Sequence, residues 1–381
     1  MTEISTNPSI LKKRLLSLDV FRGMTMAAMI LVNDPGNDQA YAPLEHSKWN
    51  GCTPTDLIFP FFLFMMGVSV VYAMESRKEV TADHTKLILH ALRRTVILLL
   101  ITYVIRLFFL LEASHSFNVS AALAHMRIPG VLTRIAVVYF ICSVLYIKTS
   151  QKTRDWLFGI ALIGYYILMN FVPVPGVGYA NLEPTTNLGA WLDRIVFTPN
   201  HLWAETRIWD PEGLLGTIPA IATGLFGIRL GTWIKRKDHD DSIKVTWMFV
   251  YGTIAVMLGL IWDLFFPINK ALWSSSFVLY TGGLAVIGLA LSYWLIDVRG
   301  HKKFTPFFVA FGANAITAYI LADFIPHYLG KVSIGGRSLY GLLFAPYFSP
   351  INASLASAIF TVFCVWIVMW ILYKRKIIIK V

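Results

Sequence analysis

Charge is scarce in this chain. Asp, Glu, Lys and Arg make up 14% of its 381 residues, where a soluble domain carries roughly a quarter. With 56% hydrophobic residues and a mean hydropathy of +0.61, that scarcity excludes an ordinary soluble globular protein. Cysteine is nearly absent too. Cys52, Cys142 and Cys364 form no CxxC pair, and two of them sit inside apolar runs, which argues against a disulfide framework or a zinc site. No side chains fall at metal-ligand spacing, so no metal is expected. No GxSxG or other nucleophile motif occurs, nor does any internal repeat or low-complexity tract.

Acids are the scarcer charge. Against 33 Lys and Arg stand 22 Asp and Glu, a formal charge of +11. Basic residues beside apolar runs more often mark cytoplasmic membrane flanks than nucleic-acid contacts. Membrane lipid is therefore an expected partner and nucleic acid is not. Twelve Trp and 16 Tyr suit interfacial belts.

What the sequence has in abundance is apolar runs near the length of about 20 residues that a crossing helix needs. Ten occur, near 16–33, 56–75, 87–111, 128–147, 156–172, 212–234, 245–266, 272–297, 304–326 and 351–373. They predict an all-α polytopic membrane protein of about ten transmembrane helices. One domain, 16–373, lies between a tail 1–15 and a basic tail 374–381. On this topology 22 of the 33 Lys and Arg fall on one side, with Arg93 and Arg94 at the inner end of the third span counted there, and seven on the other; Arg22, Arg106, Arg134 and Arg229 are counted inside spans. The bias puts both termini in the cytoplasm and turns loops 34–55, 173–211 and 327–350 outward. No small-residue cleavage site follows the run after Lys12, Lys13 and Arg14, so the first helix reads as uncleaved. With so few cysteines, a bacterial inner membrane is the expected location, with loop 34–55 on its periplasmic side. The assembly is open, a homodimer included.

Loop 34–55 holds the most suggestive histidine. Nine histidines occur; His46, His115, His125, His201 and His327 face out on this topology, while His84, His90, His239 and His301 lie in basic inward loops. Only His46 has a dense polar and aromatic neighbourhood, with Glu45, Lys48, Trp49 and Asn50 beside it. An imidazole near its unperturbed pKa of about 6.5 is largely neutral at pH 7 and can accept a proton; an ordinary surface histidine fits the same spacing. Asn33, at the outer end of the first helix, can orient that ring or hold an oxyanion, or simply satisfy helix-end carbonyls. Thr53-Pro54-Thr55-Asp56 fits a capping box with Pro at the first helical position. Nothing near Cys52 stabilises a thiolate. Loop 173–211, rich in turn residues and aromatics, suits a substrate cradle or a plain connector. Asp210 and Glu212 complement a helix N-terminus and place acids where a cationic amino sugar could dock.

Charges inside spans are costly and are functional candidates by default. Asp19 and Arg22 are close enough to pair. Arg134, about 10 Å into its helix at 1.5 Å per residue, should line a polar cavity or meet an acid, and Arg229 sits near an inner helix end. Arg22, Arg134 and Arg229 are the candidate ligands for an anion arriving from the cytoplasm. Spacing alone leaves a transporter with a polar cavity and an enzyme working across the membrane both standing.

The loop motifs choose between them. Ser17-Leu18-Asp19-Val20-Phe21-Arg22-Gly23, Val32-Asn33, His46-Ser47-Lys48-Trp49-Asn50-Gly51, Thr53 and Asp56-Leu57-Ile58-Phe59-Pro60 resemble the transmembrane core of heparan-alpha-glucosaminide N-acetyltransferase and its bacterial glucosamine N-acetyltransferase relatives. Further matches are Arg127-Ile128-Pro129-Gly130-Val131-Leu132 with Arg134, Asp210-Pro211-Glu212-Gly213-Leu214-Leu215-Gly216-Thr217-Ile218, Asn269-Lys270-Ala271-Leu272-Trp273-Ser274, Thr305-Pro306-Phe307-Phe308 and Asn314. The resemblance implies transfer of acetyl from cytosolic acetyl-CoA to a glucosamine amine on the far side, with His46 catalytic and Asn33 its partner. His46 would act as general base or as a transient acetyl carrier. Trp49, Asn50, Asp210, Glu212 and Asn269 are the expected acceptor contacts. Without a luminal domain ahead of the first helix, a mono- or small oligosaccharide is as plausible an acceptor as a polymer end. An O-acetyltransferase of envelope glycan would use the same chemistry.

Overall fold

The computed structural model describes residues 15–80, 83–114 and 117–379. His115, Lys12, Lys13, Arg14 and Lys380, with most of the tail 1–15 and the end of the tail 374–381, lie outside the described residues. In chain order the helices are α1 (Leu16–Asn33), α2 (Ile58–Val80), α3 (Thr85–Ser114), α4 (Val119–Ala124), α5 (Val131–Lys148), α6 (Gln151–Phe171) and α7 (Leu188–Val196), then α8 (Thr217–Lys235), α9 (Asp241–Asp263), α10 (Ser275–Tyr293), α11 (Thr305–Ala313), α12 (Ala315–Lys331), α13 (Leu339–Leu343) and α14 (Pro350–Lys374). Among the described residues the only sheet is a two-stranded hairpin, Ser333–Ile334 with Arg337–Ser338. This is an all-α polytopic membrane protein.

Eight helices of the described residues are long and apolar enough to cross a bilayer, and α11 with α12 makes a ninth if the pair is one span broken by an 85° bend. The bend falls at Asn314. That leaves α6 as the remaining one of the ten expected spans. It is a 21-residue helix, about 31 Å long at 1.5 Å per residue, but its first turns carry Lys152, Arg154 and Asp155 and lower its hydropathy. Arg154 is spent on the neighbouring helix end, donating to the carbonyls of Tyr146 and Thr149 at 3.4 and 2.5 Å, where a cation suits the C-terminal dipole of α5.

In lipid the helices cannot be driven together by the hydrophobic effect, so close packing matters more. α2 lies along α8, α1 along α11, α9 along α10 and α3 against α5. The first two contacts depend on glycine: a Cβ on Gly227 would stand 2.0 Å from the carbonyl oxygen of Phe64, and one on Gly23 would stand 1.9 Å from that of Phe308. A cavity of about 1210 Å³ runs through the bundle, walled by α1, α2, α3, α5, α11 and α12. One end, the loop end, is bounded by segments 33–59, 197–216 and 264–274; the other, the basic end, by the adjoining ends of α2 and α3.

Candidate active site

The site at the loop end begins with a short turn. Thr53 and Asp56 form a complete capping box ahead of the 3-10 turn Pro54–Leu57, with Pro54 at its first position. The expected cap is present, and its acid does more than cap. Asp56 is fully buried; its Oδ2 accepts from the backbone N–H groups of Ser47 and Thr53, both at 3.0 Å, and its Oδ1 lies 2.7 Å from His46 Nδ1. A carboxylate in that position accepts from Nδ1–H, which fixes the tautomer and leaves Nε2 with its lone pair. His46 is half exposed, and its ring faces the cavity.

Opposite the ring stands Lys270. The turn that carries it is built from buried amides: Asn269 donates its backbone N–H to Ser274 Oγ at 3.0 Å and accepts from Leu272 N at 2.8 Å. Gly51 N donates to Ile268 O at 2.7 Å, and Asn269 Nδ2 donates to Asn50 Oδ1 at 3.1 Å. Asn50 and Asn269, expected to touch the acceptor, therefore face each other and stay off the cavity wall; they sew the His46 loop to the Lys270 turn. Lys270 Nζ is 3.0 Å from His46 Nδ1, 3.4 Å from Nε2 and 3.4 Å from Asp56 Oδ1. Burial holds the Lys270 ammonium below the ordinary lysine pKa, with Asp56 pulling the other way. Asn33 lines the same end of the cavity from the last turn of α1.

Loop 173–211 is folded. It contains α7, and Arg194 donates to the carbonyls of Thr185 and Ile208 at 2.9 and 3.1 Å. Trp49 donates its indole N–H to Leu182 O at 3.0 Å and meets Trp209 edge-on at 5.1 Å, while Trp203 meets Trp209 at 5.5 Å. All three indoles line the cavity. Beneath them Arg127 grips Asp210 through Nε and Nη2 at 2.8 and 2.6 Å and Glu212 through Nη2 at 2.5 Å. Asp210 is thus neutralised and lies off the cavity, so a cationic sugar does not find it free. Glu212 does line the cavity. Burial pushes the Cys52 thiol up to about 12, which disfavours its thiolate.

The three predicted anion-binding arginines separate. Arg22 lines the cavity, donating to Ser69 Oγ at 2.8 Å and Asp19 Oδ1 at 3.2 Å. Arg134 stands apart from this cavity, behind Trp273 at 5.1 Å, with Nη2 donating to Gly213 O at 2.8 Å; it lines a separate small pocket with Asp193 and Asp210. Arg229 is largely exposed and sits 3.7 Å from Asp155. The basic end is instead lined by Arg77, His90, Arg93 and Arg94. Arg94 lies over Tyr139 at 4.9 Å, and its Nε is buried without a hydrogen-bond partner. Asp56 and Glu212, both at the loop end, are the carboxylates among the lining residues.

Sequence reasoning missed Asp56 as the histidine's partner, Lys270, the Arg127 clamp and the arginines of α3. The first three lie inside motifs quoted above; the last were legible only as charges flanking a span.

A membrane-embedded helical bundle with a histidine–carboxylate pair at one mouth of a cavity and clustered cations at the other is the class that fold and site define. No family model matches the chain. Heparan-alpha-glucosaminide N-acetyltransferase of Homo sapiens is 30% identical over 368 residues, covering 84% of this chain and 54% of that protein. The Mus musculus protein of the same name is 30% identical over 363 residues, covering 83% and 54%. The chain spans about half the length of these relatives. It belongs to the heparan-alpha-glucosaminide N-acetyltransferase family.

Proposed function

We propose that this protein is a transmembrane N-acetyltransferase that takes acetyl from acetyl-CoA at the basic end and delivers it to the amine of glucosamine, or of a terminal glucosamine residue, at the loop end. The observation that carries the proposal is the single cavity that joins Arg77, His90, Arg93 and Arg94 to His46 and Asp56. The donor has an anionic nucleotide and a thin arm ending in the thioester; the cations suit the first and the channel between helices suits the second. The basic end faces the cytosol on the positive-inside rule, so the loop end faces the extracytoplasmic side, in a bacterial inner membrane.

At the loop end His46 Nε2 acts, either taking a proton from the attacking amine or carrying the acetyl group itself. Asp56 holds the ring and offsets the charge that develops on it. The Asn33 amide steadies the oxyanion of the tetrahedral intermediate. Trp49, Trp203 and Trp209 offer flat apolar faces against which a pyranose ring can lie, and Glu212 is an acceptor for its polar groups.

Labelled acetyl-CoA and glucosamine, incubated with the purified protein in detergent, test this. Wild type is expected to form N-acetylglucosamine and His46→Ala to lose about 10³-fold or more in rate, with its melting temperature little changed because the ring is half exposed. Transport of intact sugar without acetyl-CoA, and no transfer to any amino-sugar acceptor, would overturn it.

A further inference from the structure

Carrying an acetyl group would occupy the histidine that would otherwise act as base, so a second proton carrier is required within reach of Nε2. Resting on the acetyltransferase reading, we propose that Lys270 is that group, acting as acid in the first half-reaction and as base in the second. Its Nζ stands 3.4 Å from His46 Nε2 and 3.0 Å from Nδ1, and it lines the cavity. With Nδ1–H committed to Asp56 at 2.7 Å, Nε2 is the ring atom to which the ammonium can donate.

In the first half-reaction the Nε2 lone pair bonds to the thioester carbonyl carbon and the C–S bond breaks with its electron pair on sulfur. The sulfur takes a proton from Lys270 Nζ and leaves as free thiol. The acetylimidazolium, still bearing Nδ1–H, is balanced by Asp56, and Lys270 is now a neutral amine. In the second, the neutral acceptor amine bonds to the acetyl carbon, the C–Nε2 pair returns to the ring, and the surplus proton of the new amide passes to Lys270. Charge balances in both steps and the site returns to its starting state. The groups around Lys270 suit the cycle: burial favours its neutral form, while Asp56 and Glu212 support the charged one. Cys52 also faces it, with its thiol held protonated by burial.

Arginine separates a proton carrier from a fixed charge, because it does not deprotonate in proteins. With wild-type transfer established, Lys270→Arg and Lys270→Met are both expected to lower kcat about 10²-fold or more, and acetylation of His46 without acceptor, followed by mass spectrometry, is expected to slow as well. Melting temperatures show whether each variant is folded. Lys270→Cys, aminoethylated to an amine more acidic than lysine, should regain activity with the acidic limb of its pH–rate profile moved to lower pH, against an identically treated wild type. A Lys270→Arg variant that turns over within about threefold of wild type, or a restored amine with an unmoved pH profile, overturns the shuttle. Absence of transfer in the wild type would instead fail the function itself.

Discussion

At the loop end the cavity's carboxylates are tied to the groups around them, whereas the basic end gathers cations along the cavity wall. Asp56 is tied by two backbone N–H groups and the His46 ring, and Arg127 binds two acids. At the other end Arg77, His90, Arg93 and Arg94 converge on the cavity with no carboxylate among the lining residues there. On the proposed function the difference follows from what each end would do. Chemistry needs groups fixed before the substrate arrives, since orienting them during reaction costs rate. Holding an anion needs several cations gathered at the cavity wall.

The comparison can be broken from either side. Asp56→Asn should have the largest effect, about 10²-fold or more on kcat together with lost stability, since the amide cannot accept from His46, Ser47 and Thr53 as the carboxylate does; rate and melting curve together read it. Arg127→Ala leaves Asp210 and Glu212 buried without their cation and should cost about 3–5 kcal/mol, read by thermal unfolding in detergent, with Arg127→Lys intermediate because the fork is lost. At the basic end, Arg93→Ala should leave the fold intact and raise KM for acetyl-CoA about tenfold, as loss of one charge-assisted contact would, with kcat little changed. A fall in kcat with KM unmoved would show that the end is not a binding element.

The smallest effect concerns pH. Burial pushes Asp193, which accepts from Leu214 N at 2.8 Å, up to about 6 from its ordinary 3.8. The folded state therefore holds a proton that the unfolded state has lost between those values, and this contribution to stability falls as pH rises through that window. Asp193→Asn should flatten the slope of melting temperature against pH there. An unchanged slope would assign it to other groups.

Much of this was readable in the residues. Apolar runs located the helices, and the polar loop with His46 stood out because nothing else between spans combined a histidine with acid, lysine, tryptophan and asparagine. Asn33 and Trp49 line the cavity with His46. What failed was inference from depth and side-chain type alone. Arg134, judged by its distance into a helix, does line a small polar pocket with Asp193 and Asp210, but that pocket is not the main cavity, and its Nε and Nη1 are buried without hydrogen-bond partners. Asp210 was judged by its place near a helix start, and Arg127, 83 positions away, had already claimed it. Asp56 and Lys270 meet at His46 only because Asn50 and Asn269 join two distant loops, a contact that no local pattern encodes.

The central claim is that one cavity carries an acetyl group from one face of the membrane to the other. Proteoliposomes of uniform orientation, with glucosamine trapped on the loop side and labelled acetyl-CoA supplied on the basic side, test it directly. The account predicts labelled N-acetylglucosamine in the trapped compartment, lost with His46→Ala, while CoA appears on the donor side. Product formed only when both substrates share one compartment would contradict it.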